Sequence, residues 1–109
     1  MTRAKVKTMV AGMDIPFDEV HPDHITASRF ASLEPPFLEY VLTDAPIFAD
    51  GRRYLDIKHL TITLWSDTEE CEAEASVETV LSDNDLRWRV NREYVEEPQL
   101  WAITFNLEV

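Results

Sequence analysis

The sequence predicts an α+β fold, a two-layer sandwich in which two helices cover one face of a mostly antiparallel sheet. Two segments near the carboxy terminus alternate almost strictly between apolar and polar residues, which is typical of strands with one buried and one solvent-exposed face. Two other segments each carry one apolar stripe at helical spacing, and they supply the layer that covers the sheet. The 109 residues are the length of one domain. We therefore treat 1–109 as a single domain.

The first predicted element is a short amino-terminal helix. Its apolar residues follow the i, i+3, i+4, i+7 spacing of a buried helical face, and they are Val6, Met9, Val10 and Met13. Thr2 is a suitable N-cap, and Gly12 is expected in the left-handed conformation that commonly ends a helix. A brief strand around Phe17 and Val20 follows. Residues 21–36 contain three prolines and no clear period, so we expect a long exposed loop there.

The middle of the chain is predicted as strands with one tight turn. Residues 37–42 form a compact apolar run of strand length. Asp50-Gly51 is a strong hairpin signal, because a type I′ turn needs positive φ at both central residues. The next strand is expected over residues 53–65. By alternation its buried face carries Leu60, Ile62 and Leu64, and its exposed face carries His59, Thr61, Thr63 and Trp65.

A second helix is expected directly after that strand. Ser66 and Glu69, or Asp67 and Glu70 one residue later, have the spacing of a capping box. The expected buried stripe consists of Ala73, Val77, Val80 and Leu81. Acidic residues crowd the first turns, where the positive end of the helix dipole tolerates negative charge. They are Glu69, Glu70, Glu72 and Glu74.

Two alternating strands end the chain. In the first, Leu86, Trp88 and Val90 face one way and Arg87, Arg89 and Asn91 face the other. In the second, Trp101, Ile103, Phe105, Leu107 and Val109 oppose Ala102, Thr104, Asn106 and Glu108. Residues 96–99 make the turn between them, since Pro98 cannot continue a ladder. Residues 53–92 form a right-handed crossover if their two strands are parallel neighbours.

The charge and composition exclude several classes of protein. The chain has 21 acidic and 10 basic residues, a net charge of −11, which argues against binding nucleic acid through its phosphates. Eight acids and one arginine lie in residues 14–50, and six acids without a base lie in residues 67–81. A single cysteine excludes a disulfide framework and a thiolate zinc site. No apolar run approaches the ~20 residues that span a bilayer, so we expect no membrane contact.

The search for catalytic motifs finds little. The two glycines have cap and turn explanations, so there is no phosphate-binding loop. Cys71 lies between Glu70 and Glu72, whose negative charge disfavours the thiolate that a nucleophile needs. His59 has no identifiable catalytic partner. Three possible metal ligands lie in a segment without a rigid frame: His21, Asp23 and His24. We therefore expect no enzyme, no catalytic residue, no metal site and no cofactor.

Two surfaces are candidates for a protein interface. The exposed sheet face combines an aromatic residue with arginines, and both residue types are enriched in binding hot spots. An alternative is a snorkelled tryptophan, which packs its ring along the sheet and keeps its polar tip in solvent, with arginines paired to cross-strand acids. The second surface is a protruding hairpin with two adjacent apolar residues, which one sheet face cannot bury together. The predicted interface residues are Ile47, Phe48, Arg52, Arg53, His59, Trp65, Arg87 and Arg89.

From residue 35 to residue 109 the motifs resemble a family. In order, the chain carries PPFLEYVL, FADGRRY, HLTITLWSD, the acidic helix TEECEAEASVETVL, and EYVEEPQLWAITFNLEV. This order resembles small tail-completion proteins of long-tailed bacteriophages and prophages, which are also called minor tail or tail-terminator proteins. The shared pattern is a Pro-Pro-led strand, an aromatic-Ala-Asp-Gly turn before a tyrosine, a strand ending in an aromatic residue and Ser-Asp, an acidic helix, and a Glu-rich turn. Residues 21–36 are longer than in this pattern.

The resemblance implies a structural protein of virion assembly. Such proteins form a ring, expected to be a hexamer, at the head-proximal end of the tail tube. The ring would stop tube growth and present the head–tail joining surface to the connector, in the virion tail after assembly in the host cytoplasm. DNA would pass through without specific binding, and an acidic lumen repels phosphates. An alternative function is an acidic DNA mimic that inhibits a nucleic-acid enzyme, which requires the acids of 14–50 and 67–81 to form one stripe.

Overall fold

The computed structural model describes residues 2–19, 35–44, 47–49, 52–55, 58–96 and 99–109. Within these ranges it contains two helices and seven strands. The helices are α1 (Arg3–Ala11) and α2 (Ala73–Asp83). The strands are β1 (Phe17–Glu19), β2 (Phe37–Asp44), β3 (Ile47–Ala49), β4 (Arg52–Leu55), β5 (Lys58–Ser66), β6 (Trp88–Val95) and β7 (Leu100–Glu108).

Five of these strands form the main sheet in the order β1-β2-β5-β7-β6. Every neighbouring pair is antiparallel except β1 and β2, which are parallel. Both helices pack on the same face, because buried residues of α1 and α2 share one cluster with alternate residues of β2, β5 and β7. The α+β two-layer sandwich, with a mostly antiparallel sheet and two helices on one face, is therefore confirmed.

The core between the layers follows the predicted apolar stripes. Val6 and Val10 of α1 and Val77 and Leu81 of α2 are completely buried, against the alternating Leu60, Ile62 and Leu64 of β5. Met13 packs just beyond α1 and is 1% exposed. Thr2 caps α1 as predicted, since its Oγ1 accepts a hydrogen bond from the Lys5 backbone N–H at 3.2 Å.

The strand predicted over residues 53–65 is wrong as a single element. Its first part is β4, which pairs with β3 in a separate two-stranded sheet. Its second part is β5, which pairs with β2 and β7. The predicted crossover between parallel neighbours is also absent, because β7 lies between β5 and β6. The residues from 53 to 65 favour β structure throughout, so the sequence gives no sign that the chain passes from one sheet to another between β4 and β5.

The first helix ends at Gly12 as predicted, but the predicted conformation of Gly12 and the predicted start of the second helix are wrong. Gly12 has φ −69° and stays right-handed, because Met13 N–H and Asp14 N–H continue i−3 bonds to Val10 and Ala11. The positive φ comes later, at Asp14 with φ 58°. The helix α2 begins at Ala73, well after both predicted capping boxes.

Hydroxyl groups explain the late start of α2. The Ser66 Oγ accepts a hydrogen bond from the Thr68 backbone N–H at 3.1 Å, and the Thr68 hydroxyl donates to the Glu70 carbonyl at 2.8 Å. Such side-chain bonds compete with helical backbone bonds. The acids at 69–72 therefore precede the helix, and Glu74 is the acid of its first turn.

Several sequence predictions fall outside the described residues. They are Val20, most of the predicted loop 21–36, the possible metal ligands His21, Asp23 and His24, and the conformation of the Asp50-Gly51 turn. The ladder on either side of that turn is described, and it pairs Ala49 with Arg52 across two residues, as the hairpin prediction requires.

Candidate interaction surface

Three predicted interface residues lie together on the sheet face away from the helices. The register places Arg89 beside Asn106 and Asn106 beside Thr61, in one row across β6, β7 and β5. His59 lies beside Glu108 in the next row on the same face, two residues along the strands. We call this surface the polar patch, and define it as His59, Thr61, Arg87, Arg89, Asn106 and Glu108.

The polar patch is open and weakly bonded within itself. Its residues line a shallow depression of about 740 Å³. The Thr61 hydroxyl donates to the Asn106 Oδ1 at 3.3 Å, and the His59 Nδ1 lies 4.0 Å from the Glu108 Oε1. Both of these contacts are solvent-exposed, so they contribute little to stability. The depression is therefore a surface that a flat partner could cover, rather than an enclosed pocket.

The two arginines of the polar patch are available to a partner. Arg87 and Arg89 are exposed, and neither has an ion-pair contact within the described part of the chain. Other arginines contrast with them. Arg92 forms a bidentate pair with Glu74 that ties β6 to α2, including a 2.9 Å bond from Nη1 to Oε2, and Arg3 pairs with Glu19. The hydrogen bond with Glu74 raises the pKa of Arg92.

Trp65 does not belong to the exposed part of this face, and its predicted exposure is wrong. Its side chain is 8% exposed, and it stacks on Phe37 with ring centroids 6.5 Å apart. Phe37, Trp65 and Ala102 form one row across β2, β5 and β7, and Leu100 packs against them. This row is a second, smaller core on the face away from the helices. Alternation assigned faces to Trp65 and Ala102 within their own strands, but it held no signal that a core covers this face.

The hairpin of β3 and β4 is the second predicted interface. The register pairs Phe48 with Arg53 and Ala49 with Arg52, in a ladder that is separate from the main sheet. The side chains of Ile47, Phe48, Arg52 and Arg53 lie outside the described part of the structure. The structure thus brings His59, Arg87 and Arg89 together, buries Trp65, and places the hairpin backbone in a sheet of its own.

The outer edge of β6 is a surface that the sequence interpretation missed. Val90 was expected to be buried, but it is 38% exposed, and Tyr94 is 48% exposed. The Tyr94 ring packs edge-on against Trp101 at a centroid distance of 5.5 Å. Both exposed side chains lie on the helix-covered face, at the margin of the sheet where β6 pairs only with β7 among the described strands. No residue pattern within β6 identifies it as an edge strand, because pairing order is a property of the whole sheet.

Three further observations concern the described residues alone. No group of three or more histidine, cysteine or acidic side chains is arranged there to hold a metal ion. No helix in the same ranges has the length and apolar character to cross a membrane. Cys71 is a free, partly buried thiol.

Comparison of the chain with protein-family models, with curated proteins and with solved structures finds no match. The functional proposal below therefore depends on the polar patch, the separate hairpin and the motif order of residues 35–109.

Proposed function

We propose that this chain is a structural phage tail protein that caps the head-proximal end of the tail tube as a ring. The ring, expected to be a hexamer, would join the tube protein to the head–tail connector. The observation that carries this proposal is the polar patch, which presents two arginines on an open sheet face of a strongly acidic protein, neither of them ion-paired within the described part of the chain. Arginine is enriched where protein surfaces meet.

A ring requires two different surfaces on each subunit, because a head-to-tail contact joins one patch to another. The polar patch is one such surface, on the sheet face away from the helices. The hairpin of β3 and β4 is the second, since its ladder is separate from the main sheet. The two surfaces belong to different sheets of the same chain, as a closed ring of identical subunits needs.

The distribution of charge supports a conduit for DNA. Asp67, Glu69, Glu70 and Glu72 are all exposed in the segment before α2. The chain as a whole carries a charge of −11. A lumen lined by such carboxylates repels phosphates, so DNA would slide through without being held.

The alternative of an acidic DNA mimic is less well supported. Such a mimic presents carboxylates to solvent at the spacing of phosphates. Glu39 is 5% exposed on the face away from the helices, and Glu74 is held by Arg92. These two acids cannot belong to an exposed stripe.

The proposed ring is tested by the state of assembly. We expect light scattering and negative-stain microscopy of the purified chain, alone and mixed with a phage tail-tube protein, to show rings. Arg89→Glu should abolish them, because it reverses a charge in the polar patch. Lys7→Glu is the matched control, since it makes the same charge change on an exposed position of α1. A strict monomer in every mixture, or equal effects of the two variants, would overturn the proposal.

A further inference from the structure

The β6 strand has an open edge that could accept another strand. β6 spans eight residues and pairs with β7 on one side, and no strand within the described ranges pairs with its other side. Its register with β7 runs from Trp88 to Val95 without a bulge. β6 contains no proline. Strand edges are normally blunted by shortness, bulges, prolines or charged side chains, and of these β6 has only the charges of Arg89, Arg92 and Glu93.

The opposite edge of the main sheet is protected by comparison. There β1 is three residues long and carries Asp18 and Glu19, of which Glu19 is paired with Arg3. Among the residues that the structure describes, the two exposed large apolar side chains, Val90 and Tyr94, both lie on β6 instead. Open backbone groups and exposed apolar area therefore coincide at one place in the molecule.

We propose that β6 pairs antiparallel with β6 of a second copy, with Asn91 opposite Asn91 on a two-fold axis. This register places Arg89 opposite Glu93 of the second copy and Glu93 opposite its Arg89, on the face away from the helices. On the other face it places Trp88 opposite Tyr94 in both directions. Opposite charges and aromatic pairs directly across a ladder stabilise a sheet. The strand is thus complementary to itself.

Neighbouring registers are less favourable. In a two-fold antiparallel pair, side chains directly opposite each other lie on the same side of the sheet. The axis must therefore pass through a residue, and alternative registers place it on a neighbouring residue. An axis through Arg92 or Glu93 places like charges directly opposite each other, which destabilises a ladder. An axis through Val90 would place Arg87, outside β6, opposite Glu93. The axis through Asn91 overlaps as much of β6 as the axis through Arg92, and it alone combines that overlap with two Arg–Glu pairs.

This dimer is separate from the proposed ring. A two-fold contact uses the same surface on both subunits, whereas a ring joins two different surfaces. The dimer uses the β6 edge with Val90, Glu93 and Tyr94, and the hairpin of β3 and β4 takes no part in it. Arg89 is shared by both proposals, so the experiment that separates them is built on Asn91.

Disulfide trapping tests the register. In a Cys71→Ser background, we expect Asn91→Cys to form a covalent dimer under mild oxidation, read on a non-reducing gel. Residues directly opposed across an antiparallel ladder have Cα atoms ~4.5–5.5 Å apart, within disulfide range. Val90→Cys is the matched control, because its Cα atoms would be about 8 Å apart in this register, beyond the ~7 Å limit. Cross-linking through Val90→Cys in preference to Asn91→Cys, or through neither, would overturn the proposal.

A charge exchange gives an independent readout. In sedimentation equilibrium near physiological salt, we expect Arg89→Glu or Glu93→Arg alone to weaken the dimer about tenfold, because two cross-strand pairs become repulsive. The double variant R89E/E93R should restore the affinity. Failure of the double variant to recover would contradict the register. Rings that form while Asn91→Cys fails to cross-link would refute the dimer and leave the proposed function standing.

Discussion

At the scale of single residues, Trp65 marks the boundary between a buried part and an open part of the sheet face away from the helices. It joins Phe37, Leu100 and Ala102 in a buried cluster, beside the open polar patch. We expect Trp65→Ala to lower the free energy of unfolding by about 3–5 kcal/mol, the usual cost of emptying a buried tryptophan site. Arg89→Ala, at an exposed position of the same face, should change it by less than about 0.5 kcal/mol. Urea denaturation of the two variants measures both values, and a loss below about 1 kcal/mol for Trp65→Ala would contradict the burial.

Tyr40 is the residue whose titration should report on the core. Burial raises the pKa of its phenol above the ordinary 10.0, and the negative charge of Glu19 raises it further. The folded state therefore favours the neutral phenol, so this contribution to stability is complete below pH 10 and is lost as the pH rises through the raised pKa. We expect the wild type to lose more stability than Tyr40→Phe between pH 9 and pH 11. Parallel loss in both proteins, measured by urea unfolding across that range, would show that Tyr40 titrates normally.

At the scale of elements, the sequence correctly predicted the features that depend on local residue pattern. It failed for the features that depend on how distant strands pair. The stripe of α1 and the alternation of β5 and β7 are confirmed, because periodicity directly encodes which side is buried. The start of α2 was placed too early, since the hydroxyls of Ser66 and Thr68 bond the backbone before the helix begins. The separation of β4 from β5 and the edge position of β6 are consequences of strand order, which no local pattern contains.

The same distinction between local pattern and strand pairing explains which features of the candidate surface the sequence predicted. Alternation correctly placed His59, Arg87 and Arg89 on one face, and the register then brings them to one depression. Alternation could not show that the same face carries a second core around Trp65. Whether one face of a strand is solvent-exposed depends on which residues of the neighbouring strands lie beside it. That information requires the pairing register.

At the scale of the whole molecule, the main sheet and the hairpin of β3 and β4 should be separable. Asp44 at the end of β2 and Lys58 at the start of β5 are register partners, so a two-residue turn can join them directly. Lys58 is also fixed to Val109 by two backbone hydrogen bonds of 2.9 and 3.2 Å. We expect a variant with residues 45–57 replaced by Asn-Gly to stay folded, with an unfolding free energy within about 1 kcal/mol of the wild type, because the main sheet loses none of its described pairs.

The same variant separates folding from assembly. If the hairpin supplies one of the two ring surfaces, the shortened chain should form no rings, while its urea unfolding remains cooperative and its far-ultraviolet circular dichroism keeps the helix signal. The β6 dimer should survive, since it uses the other end of the sheet, so Asn91→Cys should still cross-link in the shortened chain. Rings that persist without residues 45–57 would exclude the hairpin as a ring contact, and a shortened chain that fails to fold would show that the hairpin belongs to the core.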